Sequence, residues 1–278
     1  MYVSRPSRRT ALVLAAVALA ALAVVTLIAY LTAGQKATPT AKPPLEPPVA
    51  PVHVTKKQLA ALPRATTYAK LRHAEKDPAP HASATGQILH PKHTKILYTT
   101  PGGPPLAVLP TTQLDNPTWL PVIETRPGWT RVLLPTRPNG ATGWLHTADN
   151  STEQTANPYE VRVDLSDRRL TLLKHSAPTG SWPVAVGAPD TPTPTGRTFL
   201  LASLTPPEIT YSPLILPLGA HSEVLQTYDG GPGTIGLHGW PDSSVFGKAL
   251  SHGCVRLPRQ ALTTLSHLPL GTPVLVSA

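Results

Sequence analysis

Cysteine is almost absent: Cys254 is the one thiol in 278 residues. No intramolecular disulfide is available, so this chain has no disulfide framework. A lone thiol in an exported protein is a liability unless it is buried or chemically used. Charge is scarce as well. Asp, Glu, Lys and Arg make up 14% of the chain, with 24 basic against 15 acidic residues and a formal net charge of +9. No run of Lys and Arg reaches five residues and no basic stretch is interleaved with aromatics. The clustered positive surface that a nucleic-acid partner needs is therefore missing. A scattered basic excess suits solubility, an anionic membrane or an anionic wall polymer equally well. Proline is abundant instead, at 35 residues, well above the ~5% of an ordinary chain.

The amino terminus addresses the compartment. Residues 11–31 (ALVLAAVALAALAVVTLIAYL) carry no charge, and at ~1.5 Å per residue a helix of this length crosses about 30 Å of bilayer core. Arg5, Arg8 and Arg9 precede the run and Lys36 follows it. The positive-inside rule then predicts a cytoplasmic tail over 1–10, a single-pass anchor over 11–31 and everything beyond outside the cytoplasm. A cleaved signal peptide is the alternative; the run is long for one, and Leu31-Thr32-Ala33 is a poor cleavage site. Residues 32–85 read as a stalk and linker. Lys36 to Val54 is proline-rich and predicts a semi-rigid polyproline II spacer. Thr55-Lys56-Lys57-Gln58 fits a capping box ahead of a short helix ending near Pro63. Residues 63–85 carry no assignable pattern.

Short strands with turn chemistry occupy 86–150: 95–98, 106–109, 119–125, 129–134 and 142–145, separated by Gly102-Gly103, Arg126-Pro127-Gly128 and Asn139-Gly140. Five short strands predict a small β-barrel, with its tryptophans read as core. A second mainly β domain is predicted over 158–278. Its strands fall at 159–165, 169–174, 182–186, 197–203, 209–215, 223–228 and 272–277, with short helices over 243–250 and 258–268, the latter opening on proline.

The chemistry centres on Ser251-His252-Gly253-Cys254-Val255-Arg256. A thiol attacks as thiolate and needs a base within reach. His252 lies two residues before Cys254 and His238 sixteen before, at the end of an expected strand over 234–237. Gly253 lets the backbone approach a substrate, the amides of Gly253 and Cys254 are natural donors to an oxyanion, and Arg256 favours the thiolate or holds a carboxylate. Taken singly, a buried Cys is a small hydrophobe; glycines beside both His238 and Cys254 are harder to explain by packing. A zinc site of His238, His252 and Cys254 is another reading, without the tight ligand pairs of structural zinc.

Ile235-Gly236-Leu237-His238-Gly239 followed by Ser251–Leu257 resembles the signature of L,D-transpeptidases of the YkuD type. The resemblance extends through 159–163 and 169–173, then Val186-Gly187 and Thr193-Pro194-Thr195-Gly196, and covers roughly 158–278. The stretch from Ile209 to His238 is shorter than in members with a long active-site lid. Upstream, Trp129–Val132 with Gly143–Leu145 resembles bacterial Src-homology-type barrels, which bind wall peptides or act as spacers. The catalytic resemblance implies that Cys254 attacks a peptidoglycan stem tetrapeptide at the diamino-acid carbonyl, releasing D-alanine and leaving a thioester. His238 is the implied base, oriented by the Gly239 carbonyl with Asp242 as rival. Ser251 and His252 would shape the pocket, and Gly253 with Cys254 would supply oxyanion donors. The acceptor is the side-chain amine of a second stem, giving a 3→3 cross-link, or water, as in an L,D-carboxypeptidase or amidase. No metal or organic cofactor is implied. A catalytically inactive wall-binding protein is the reading of a different class.

Overall fold

The computed structural model describes residues 48–208 and 211–278, with residue 26. The chain divides into two compact units, Met1–Leu45 and Glu46–Ala278, and among the described residues every strand belongs to the second. The expected tail over 1–10, the anchor over 11–31 and most of the stalk lie outside the described residues. Among the described residues no helix is long and apolar enough to cross a membrane.

The capping box forms. Helix α1 (Lys56–Ala61) starts where Thr55 Oγ1 accepts from Gln58 N while Gln58 Oε1 accepts from Thr55 N at 2.9 Å, satisfying donors that a helix start otherwise leaves orphaned. The end of the expected stalk is not free-standing. Trp129 Nε1 donates to the Val49 carbonyl at 2.7 Å, and a side chain on Gly128 would come within 3.1 Å of Pro48 Cβ.

The upstream half is built from β1 (Glu75–Lys76), β2 (Gln87–Pro91), β3 (Lys95–Tyr98), β4 (Pro105–Leu109), β5 (Thr112–Gln113), β6 (Asn116–Pro117), β7 (Leu120–Arg126), β8 (Trp129–Leu133), β9 (Ala141–His146) and β10 (Thr152–Ala156). All but the β5–β6 hairpin join one antiparallel sheet in the order β10-β2-β7-β8-β9-β3-β4, with β1 on β9. The pairing runs as a path from β10 to β4, and the small β-barrel expected here is not shown by it. Trp129 and Trp144 are buried, with Tyr98 edge-on to Trp129 at 5.2 Å, so both serve as core.

The downstream half carries β11 (Tyr159–Asp164), β12 (Arg169–Lys174), β13 (Ala177–Pro183), β14 (Val186–Gly187), β15 (Gly196–Phe199), β16 (Ile215–His221), β17 (Thr234–Gly239), β18 (Ala249–Ser251), β19 (Val255–Leu257), helix α2 (Arg259–Leu265) and β20 (Pro273–Ser277). A five-stranded sheet, β13-β12-β11-β20-β15, faces a three-stranded sheet, β16-β17-β19, across a core that includes Val161, Leu170, Leu218, Leu237, Val255 and Val274. Each such side chain contributes ~1.5–3 kcal/mol by leaving water.

Four expectations are corrected. The strand expected over 182–186 is split between β13 and β14. Residues 223–228 form a loop. Of 209–215, residues 209 and 210 lie outside the described residues, and the strand starts only at Ile215. The helix expected over 243–250 is a 3-10 turn (Ser243–Val245) capped by Asp242, and Gly247 at φ +84° then turns the chain into β18.

The halves interlock. Phe199 at the end of β15, with Leu201 and Ala202 beyond it, packs in the upstream core. Residues 63–85 supply Asp77, which meets Arg197 of β15 in a bidentate pair at 2.8 and 2.6 Å, with the Asp77 side chain fully buried.

Candidate active site

Strand β17 carries Gly236 and His238, two residues apart and so on one face of an extended chain. It runs parallel to β19 with Leu237 opposite Val255 and His238 opposite Arg256, which places Cys254, immediately before β19, beside that face. The Gly236 N–H donates to Cys254 Sγ at 3.3 Å, and Cys254 and His238 line one cavity of ≈ 470 Å³.

His238 is buried, 7% exposed. Its Nδ1 lies 2.9 Å from the Gly239 carbonyl oxygen. A carbonyl only accepts, so Nδ1 carries the proton and Nε2 holds the lone pair. Burial lowers the His238 pKa below its ordinary value, the Gly239 hydrogen bond opposes this, and the charge of Arg256 adds to it. Burial likewise raises the Cys254 thiol, against the Gly236 N–H and Arg256. Both directions describe a resting neutral thiol beside a neutral imidazole. Tyr211 packs edge-on against the imidazole at 4.9 Å, and Ser212 braces the loop beneath it: its Oγ accepts from Gly239 N at 2.8 Å and donates to the Leu214 carbonyl at 2.6 Å.

The turn presenting Cys254 is held from within and from β14. Ser251, buried at 1% exposure, accepts from Gly253 N at 3.1 Å and donates to the Cys254 carbonyl at 2.5 Å. The Gly253 N–H, expected as an oxyanion donor, is hydrogen-bonded inside the turn in this structure. Gly253 sits at φ +114°, with Ile235 Cδ1 2.9 Å from where a Cβ would be, so a side chain there would be both strained and crowded. Thr193 explains the proline-rich segment before β15: its Oγ1 accepts from Gly187 N at 2.9 Å and donates to the Gly253 carbonyl at 2.8 Å. Thr191 Oγ1 donates to the Ser251 carbonyl at 2.9 Å.

The remaining candidates divide. Arg256 lies over the Trp240 ring at 3.6 Å, within cation–π range, and its buried Nε has no hydrogen-bond partner. His252 is exposed, with Nδ1 3.3 Å from Tyr228 Oη. Asp242 is occupied in capping: its two oxygens accept from Ser244 N and Ser244 Oγ, each at 2.9 Å. Among the described residues no group of three or more His, Cys, Asp and Glu is placed to hold a metal ion. Ser212, Tyr211, Thr191 and Trp240 escaped the sequence reading. The Thr-Pro repeat was the one available signal for Thr191; nothing local pointed to Ser212.

Residues 158–276 match the family model of the YkuD L,D-transpeptidase catalytic domain. YkuD of Bacillus subtilis, named as an L,D-transpeptidase, is 29% identical over 121 residues, which cover 43% of this chain and 66% of the relative. YkuD of Bacillus licheniformis is 33% identical over 123 residues, covering 43% and 66%. The chain thus spans just under two thirds of the curated relatives it matches. Among solved structures, an L,D-transpeptidase from Mycobacterium smegmatis aligns at 16% identity and a TM-score of 0.36, covering 54% of this chain and 91% of that one.

Proposed function

We propose that this chain is a peptidoglycan L,D-transpeptidase working through a Cys254 thioester. The observation that carries the reading is the set of atoms around one sulfur. Gly236 N–H points at Sγ, His238 lies two residues along the same strand face, and its Nδ1 is spent on a carbonyl, so Nε2 is the nitrogen left to take a proton. The thiol proton passes to Nε2 as sulfur attacks the diamino-acid carbonyl of a stem tetrapeptide. The carbon–nitrogen bond to the terminal D-alanine breaks, and the proton leaves on the departing amine. The side-chain amine of a second stem then attacks the thioester, giving up its proton through His238, and the thiol re-forms with a 3→3 cross-link made. The unpartnered Arg256 Nε and the stacked guanidinium offer a positive site for a stem carboxylate inside the cavity. The uncharged run over 11–31 anchors the enzyme, with this site outside the membrane and facing the wall.

Intact-protein mass spectrometry of the chain with a disaccharide-tetrapeptide tests this. The expected result is an adduct on Cys254 that is absent from Cys254→Ala. Supplying a second stem should yield a cross-linked dimer. Tripeptide without dimer would instead make the enzyme an L,D-carboxypeptidase. Turnover with no adduct, or turnover that survives Cys254→Ala, would sink the thioester mechanism.

A further inference from the structure

Loop 222–233 joins β16 to β17 and forms one wall of the Cys254 cavity through Ser222, Leu225, Tyr228, Asp229, Pro232 and Gly233. The loop closes on itself at few points: Ser222 N to the Gly233 carbonyl at 2.8 Å, Leu225 N to Ser222 Oγ at 3.0 Å, and the Tyr228–Gly231 exchange. Tyr228 Oη also lies 3.3 Å from His252 Nδ1 in the downstream half, and a further grip comes from the upstream half. Arg137 Nη1 donates to the Ser222 carbonyl at 2.9 Å, and Nη2 donates to the carbonyls of Pro232 at 2.9 Å and Leu225 at 3.2 Å. Asn139, two residues on, accepts from His221 N and donates to the His221 carbonyl, each at 2.8 Å, fixing the end of β16 from which the loop departs. Three carbonyl dipoles converge on one cation, and the planar fork of a guanidinium meets them in a way a lysine's point charge does not. The loop folds so closely that a Cβ on Gly233, at φ +70°, would lie 2.2 Å from the Leu225 carbonyl oxygen and 3.1 Å from Arg137 Nη2.

We propose that Arg137 is a positioning residue of the upstream half that holds loop 222–233 as a closed cavity wall and so sets which acyl donors reach Cys254. Arg137 does not line the cavity; it acts through the loop. Its backbone is anchored separately, by Arg137 N to the Ala69 carbonyl and Leu71 N to the Arg137 carbonyl at 2.9 and 2.8 Å, so the side chain can be altered with that anchor kept.

The test compares the full chain with Arg137→Gln and Arg137→Lys. In Arg137→Gln, amide exchange across 222–233 should rise roughly tenfold, as expected from losing charge-assisted hydrogen bonds. Alkylation of Cys254 by a bulky maleimide should accelerate, while alkylation by iodoacetamide stays unchanged because the thiol and His238 are untouched. Arg137→Lys should restore part of the protection. Unchanged exchange in the loop overturns the proposal, and so does equal acceleration by both reagents accompanied by lost protection in β7–β9. Should Arg137→Gln fail to fold, Arg137→Lys decides by the same measurements, with unchanged exchange again the overturning result. A third arm rests on the transpeptidase reading: KM for the disaccharide-tetrapeptide should rise more than kcat falls. A chain whose loop is released but which never acylates would refute the proposed activity and leave the clamp standing.

Discussion

The two halves each bury a basic side chain and orient it by opposite means. In the upstream sheet, Arg131 is held by carboxylates: Nη2 meets Glu75 at 2.9 Å, Nη1 meets Glu124 at 3.4 Å, and Nε donates to Thr142 Oγ1 at 3.0 Å. In the downstream sheet, His238 is held by a main-chain carbonyl, and the carboxylate expected as its rival, Asp242, is spent on Ser244. A carboxylate stabilises the charged form of its partner, which suits a permanent structural cation. A carbonyl fixes direction with a much smaller bias toward charge, so burial wins and the imidazole stays neutral. The first device suits a scaffold, and the second suits the base proposed at His238.

The largest effect should follow from removing that base. His238→Gln keeps a side chain of similar reach that cannot take the thiol proton, so kcat should fall roughly 10²–10⁴-fold. Asp242→Asn should leave kcat unchanged; a comparable loss there would restore the carboxylate as orienter. Because burial lowers the His238 pKa, the acid limb of the rate profile should have its midpoint below 6.5, the ordinary histidine value.

The scaffold side is tested at Asp77. Asp77→Ala strands Arg197, whose side chain is 5% exposed. Breaking a buried pair from one side costs roughly 3–5 kcal/mol, measured as a lowered urea midpoint. A loss near zero would show that water reaches the pair.

His221 tests whether a neutral buried imidazole is used for structure as well. It is fully buried, and its Nε2 lies 2.7 Å from the Thr67 carbonyl. Burial lowers its pKa to about 4 from an ordinary 6.5. Between those values the unfolded chain binds a proton that the folded chain does not. Stability is therefore complete above pH 6.5 and declines as pH falls toward about 4, by roughly 3 kcal/mol in total. Urea titrations at several pH values should show that slope, and His221→Gln should flatten it.

The smallest effect is expected at the turn. Ser251→Ala orphans the Gly253 N–H and should cost about 1–3 kcal/mol, together with slower Cys254 acylation. Acylation at the original rate would mean that Thr191 and Thr193 alone hold the turn.

Much of this molecule is legible where the pattern is local. Alternation over Arg169–Lys174 and Lys95–Tyr98 returns strands with those bounds, and the Thr55–Gln58 box returns a capped helix. Local pattern misleads at 243–250, where the apolar spacing is helical but Gly247 takes a positive φ and β14 recruits β18. It is silent over 63–85, whose role is to bury Asp77 against a residue 120 positions away.

The same division holds at the site. The sequence by itself determined the candidate groups, because only one thiol exists and the His-Gly and Ser-His-Gly-Cys runs stand out by residue type and spacing. Tertiary structure alone decided what each group meets: Gly236 N–H at the sulfur, a carbonyl at the imidazole, Ser251 inside the turn and Arg137 behind the cavity wall. Arg137 and Ser222 stand 85 positions apart, as Cys254 and Gly236 stand 18. Burial, which sets the protonation of His238 and Cys254, arises only when such separated segments pack together and exclude water.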